Sequence, residues 1–175
     1  MLSRSTASAL LVALSVILVA PTVWAQDRPP SVVSDTFKKA LLDPTTYAPA
    51  AIVFDATMRD WNSSQPFFRR GYLERNERYT ISGRPNDIPL GYSAGQRQIL
   101  WDAFLNAQVS FANNVAARAF ERKLKDRFPN HRGLITALSW AERIGFASWM
   151  SYRLSEAHYR QAAENRRRAA RLGFR

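Results

Sequence analysis

Five residues near the middle of the chain, Gly91-Tyr92-Ser93-Ala94-Gly95, fit G-x-S-x-G, the pattern in which a sharp strand-to-helix turn exposes a serine nucleophile. An acid and then a histidine, His131 or His158, follow Ser93 in the order such a hydrolase uses. The pattern takes its meaning from a strand before the serine, and Asp87-Ile88-Pro89-Leu90 is too short and proline-bearing to be one. Ser93-Ala94-Gly95-Gln96 is also S-x-x-Q, a helix capping box, and that structural use is the preferred one.

Asp60-Trp61-Asn62 and Glu74, with Tyr79, could bring two carboxylates and aromatic surface to one cleft, the material of glycoside hydrolysis. That chemistry needs a fixed carboxylate separation, which spacing does not supply. The default place for such residues is the surface. His131 and His158 are the only histidines; no H-x-x-x-H pair and no cysteine accompanies them, so neither a metal site nor a cofactor is expected. His131 is placed beside a helix start and His158 on the surface.

Glu142 and Arg143 interrupt a long apolar stretch, where an unpaired charge would cost several kcal/mol, on the order of a broken buried ion pair. Adjacent on a helix, they point about 100° apart and cannot share one neighbour. Either a wet seam runs along that helix, or Glu142 meets a cation and Arg143 an anion on other helices; Glu142 as a functional carboxylate is the sharper alternative.

Twenty-five Lys+Arg against fourteen Asp+Glu give a net charge of +11, which draws a protein toward polyanions. The charge gathers at the C-terminal end, where Arg166, Arg167, Arg168 and Arg171 make the leading binding candidates. A solvated helix end is the plain alternative.

The elements that must position these residues read as helices. The spacing predicts a short helix from Ser34 or Asp35 to Leu42, one over Tyr47–Asn62, a short one over Phe67–Arg75, a long one over Gln96–Arg127 and a last one from an Asn130 cap to Leu172. Leu100, Phe104, Ala107, Phe111 and Val115 form the expected core face of the fourth. Phe54, Trp61, Trp101, Phe104, Phe111, Trp140, Phe146 and Trp149 are read as packing. Turn formers crowd between residues 76 and 95, giving a long irregular connection. The expected fold is all-α: a small bundle of three to four main helices in one domain over 35–175, after a flexible lead-in over 26–34.

Ahead of these, Arg4, the apolar run Ala9–Ala20 and Val23-Trp24-Ala25 have the form of a signal peptide over 1–25, cleaved near Ala25. Export implies a periplasmic or extracellular address, disfavours nucleic acid as a partner, and turns the expected anion into lipid or an envelope polymer. The sequence therefore points to a non-catalytic interaction or structural component. A secreted hydrolase using Ser93 or a carboxylate, and a membrane-embedded protein spanning through Leu134–Leu154, are the alternatives.

Overall fold

The computed structural model describes residues 31–174; the expected signal peptide, the lead-in up to residue 30 and Arg175 lie outside them. The described residues form four helices, α1 (Val32–Leu41), α2 (Ala48–Phe68), α3 (Tyr92–Arg127) and α4 (Arg132–Arg171), with short 3-10 turns at Pro44–Thr46, Glu77–Tyr79 and Pro129–His131. No strand occurs among the described residues, so the all-α expectation holds. α4 packs chiefly on α2, and α3 lies against both.

Several boundaries differ from the sequence reading. α2 runs through Ser63-Ser64-Gln65-Pro66 instead of stopping there. Pro66 lacks an N–H, but the Gln65 side chain donates to Trp61 O at 3.0 Å and the Ser63 hydroxyl to Asp60 O at 2.8 Å. From α4, Asn165 donates to both serine hydroxyls. Tertiary bonds thus hold a segment whose local chemistry favours a turn. No helix follows over Phe67–Arg75, because Gly71 takes φ +80° and turns the chain away. α3 begins four residues early, at Tyr92, with Gly91 at the cap position. Ser93 thus sits inside the first turn, and the capping box with Gln96 does not form. α4 likewise starts after a 3-10 turn with His131, not Asn130, at its cap.

The buried face of α3 is turned by about one residue from the one expected. Gly95, Ile99, Ala103, Ser110 and Asn114 are inside, while Leu100 and Phe104 are exposed. Small residues win because they let helices approach closely. A methyl on Gly95 would lie 2.2 Å from the Trp61 ring, so G-x-S-x-G ends in a glycine that seats a tryptophan. Trp61 in turn donates to Tyr92 O at 3.2 Å and packs with Tyr79 and Ile99 as a small core. The connection after α2 meets this core through Tyr79 and is closed on itself by backbone bridges, Glu74 with Asp87 and Thr80 with Pro89.

Of the eight aromatics expected to pack, Trp61 is buried, but Phe54, Trp101, Phe104, Trp140 and Trp149 keep much of their surface exposed. Apolar residues of Leu134–Leu154 point in nearly every direction around the axis, a pattern that predicts a surrounded helix. Instead one side of it packs, and Leu134, Leu138, Ile144, Trp149, Tyr152 and Leu154 stand bare. No helix among the described residues is long and apolar enough to cross a membrane.

The other end of the bundle is held by charge. Arg143 is 1% exposed, with Nε 3.1 Å from Asp43 Oδ2 and Nη1 3.4 Å from Glu121 Oε2 and 2.6 Å from the Ser139 hydroxyl. Arg118 reaches the same Asp43 oxygen at 2.6 Å. Burial raises the Asp43 carboxyl, but hydrogen bonds from Thr45 and Arg118 outweigh it and hold it below its ordinary value. Asn114 donates to the hydroxyls of Thr45 and Thr46, closing the junction.

Gly95→Ala drives a methyl into Trp61 and is expected to destabilise the fold by about 1–3 kcal/mol or more. Thermal unfolding measures this; an unchanged midpoint would show that α2 and α3 do not meet at this glycine.

Candidate functional site

Two places gather functional side chains. The first lies where α2, α4 and the connection converge. Asp60 and Trp61 from α2, His158 from α4, and Glu74, Asn76 and Tyr79 from the connection line a cavity of about 30 Å³, together with Thr57 and Ser64. It has room for a water molecule. The cleft sketched from Asp60, Glu74 and Tyr79 thus exists, and it is small; Asn62 lies outside it, accepting from the Tyr92 hydroxyl at 2.9 Å.

His158, expected at the surface, is the member that sequence reasoning missed. Its Nδ1 lies 2.8 Å from Asp60 Oδ2. A carboxylate partner orients the ring and favours the tautomer that donates from that nitrogen. Glu74 Oε1 accepts the Asn76 N–H at 2.7 Å. Burial lifts the Glu74 carboxyl above its ordinary value; the Asp60 charge adds to this, and backbone donors and His158 oppose it. Tyr79 donates to Asp102 Oδ2 at 3.0 Å. Its burial, and after that the Asp102 charge, push the phenol far above its ordinary range, so it stays protonated. The cluster joins an oriented imidazole to a carboxyl that resists ionisation, the pairing used in general acid–base work.

The sequence carried a signal for His158. Ala147, Ser151, Ser155, His158, Ala162, Asn165 and Ala169 recur at steps of three and four, and this small, polar stripe is the side of α4 that meets α2. Its polarity made it look like a solvated face.

The other candidates are scattered. Ser93 is exposed in the first turn of α3 and has no hydrogen bond to a histidine among the described residues. His131 is exposed at the turn between α3 and α4. Glu142 is exposed and accepts from the Asn113 amide at 3.2 Å. Arg143 does meet anions, Asp43 and Glu121, as part of the structural junction. No group of three or more His, Cys, Asp or Glu among the described residues could hold a metal ion.

The second place is the C-terminal end of α4. Ala162, Asn165 and Ala169 face inward, which turns Arg166, Arg167 and Arg171 outward, and none of these forms a salt bridge among the described residues. Arg168 lies 5.6 Å from the Phe67 ring and 5.5 Å from that of Tyr72. That stacking brings the turn after α2, with exposed Arg69 and Arg70, beside the arginines of α4. Arg70 lies over Phe174 at 3.8 Å. Cations at two helix C-termini also suit the negative ends of the helix dipoles.

Comparison with known protein families found no matching family, and comparisons with characterised proteins and with solved structures found no significant match.

Because its folded carboxyl titrates above the unfolded one, Glu74 carries no cost below its ordinary value of 4.5 and opposes folding once pH rises past it. Glu74→Gln is therefore expected to raise the thermal midpoint at pH 7 and to leave it unchanged near pH 3.5. A midpoint lowered at pH 7 would mean that the ionised carboxylate is a needed partner.

Proposed function

We propose that the protein is an exported, non-catalytic component that binds anionic envelope material, lipid head groups or an acidic polymer, through the basic end built by α4 and the turn after α2. The observation that carries this reading is the cluster Arg166, Arg167 and Arg171, exposed and without acidic partners among the described residues, beside Arg69 and Arg70. Arginines left unpaired keep their full field for a ligand. Arg168, committed to Phe67 and Tyr72, acts as the strut that holds the cluster together. The leader-like first 25 residues supply the export half of the proposal, and export disfavours nucleic acid as the partner.

Binding to anionic vesicles in low salt tests it. Each surface arginine contributes about 1 kcal/mol, so neutralising Arg166, Arg167 and Arg171 together is expected to weaken binding on the order of 100-fold. Arg168→Gln should lower binding and stability together. Equal retention of wild type and triple variant, or of neither, would defeat the proposal.

A second reading, a small hydrolase, is favoured by the Asp60–His158 pair facing Glu74. Water held near the imidazole would be the nucleophile, with Glu74 as acid. Hydrolysis of model esters or glycosides that His158→Gln abolishes, with no labelling of Ser93 by a serine-reactive phosphonate, is the outcome this reading expects. Labelled Ser93 would move the chemistry to the serine instead.

A further inference from the structure

The bare side of α4 has an order that its own fold does not use. Leu134, Leu138, Trp149 and Tyr152 are 60%, 61%, 59% and 61% exposed. With exposed Ala141 and Gly145 between them, they follow steps of three and four along one stripe. The stripe reads alike in both directions. Leu134 and Tyr152, Leu138 and Trp149, and Ala141 and Gly145 lie at equal distances, to within one residue, on either side of position 143. Bulky residues sit at the ends and small ones at the centre.

Gly145 is the sharpest observation. A glycine inside a helix costs about 1 kcal/mol relative to alanine, and here a methyl in its place would meet nothing within 4 Å. Among the described residues no neighbour asks for a glycine there, in contrast to Gly95 against Trp61. A second helix passing close to the stripe would.

We infer that this face pairs with the same face of a second copy, the two α4 helices running antiparallel across a two-fold axis near Ala141 and Gly145. A two-fold interface sets one patch against itself, residue i on j and j on i, and a stripe symmetric about its own middle meets that condition. In this register the leucines of one copy cover the aromatics of the other, and the helices close on each other at the small residues. Glu142, near the axis, is drawn back onto α3 by Asn113, away from its symmetry mate.

The size is adequate. Leu134 to Tyr152 spans about 27 Å of helix, and Trp149 and Tyr152 of the two copies together, each about three-fifths exposed, offer roughly 400–600 Å². The leucines and the helix surface between them carry this toward the roughly 1,000 Å² of a specific interface.

Sedimentation of the full-length protein over micromolar concentrations, paired with circular dichroism, tests the inference. Wild type is expected to sediment at twice the chain mass. Trp149→Glu and Gly145→Leu, both at exposed sites, should each shift it to the single-chain mass with unchanged helix content. Because the chain has no cysteine, register is read directly. Under mild oxidation, Leu138→Cys mixed with Trp149→Cys should yield covalent dimer, and each alone should not. A single-chain mass for wild type at every concentration, association that both substitutions leave intact, or Leu138→Cys cross-linking to itself as readily as to Trp149→Cys would each overturn it. Vesicle binding through this face by a single chain would do so too.

Discussion

A guanidinium taken out of water must find anions fixed in place, and Arg143 imposes that demand on half the molecule. Its nitrogens look to Asp43 in the turn after α1 and to Glu121 on α3, so one side chain of α4 sets the position of two other elements. Asp43 could not serve Arg143 alone. Arg118 shares the same oxygen, and the backbone N–H and hydroxyl of Thr45 bond the other. An arrangement of this kind adds little net stability over a well-packed apolar one, while losing one partner costs about 3–5 kcal/mol. Its use here is specification: the helices at this end are too poor in buried apolar residues to fix their own register.

That poverty explains how much of the fold was legible. Helix existence followed from periodicity and from breakers such as Asp43-Pro44 and Phe128-Pro129, because those effects are local. The identity of the inner faces does not follow from periodicity, because large apolar residues are the ordinary sign of a core. In this chain small and polar residues hold the interfaces, Gly95, Ala103, Ser110 and Asn114 on α3, and Ser151, Ser155, Ala162 and Asn165 on α4. Leu100, Phe104, Trp140 and Trp149 face outward. Hydrophobicity predicts burial on average, and close helix approach selects for size.

The polar cavity was partly legible for the same reason. Asp60, Glu74 and Tyr79 were grouped from their chemistry, which is local to one stretch of chain. His158 enters from 98 residues away, across a helix pairing that the apolar pattern did not reveal. Ser93 shows the opposite case: a five-residue motif matches, yet the glycine that completes it belongs to the Trp61 contact and the strand the motif requires is absent from the short segment before it.

α4 separates two chemistries along one rod. From Gly145 to Arg168 is about 35 Å of helix, some four times the roughly 8 Å screening length of salt at physiological strength. Whatever neutralises the arginine tip therefore goes unfelt at the greasy midsection, and whatever covers the midsection leaves the tip charged. Ionic strength and temperature become independent handles on the molecule, one gripping each end of the same helix.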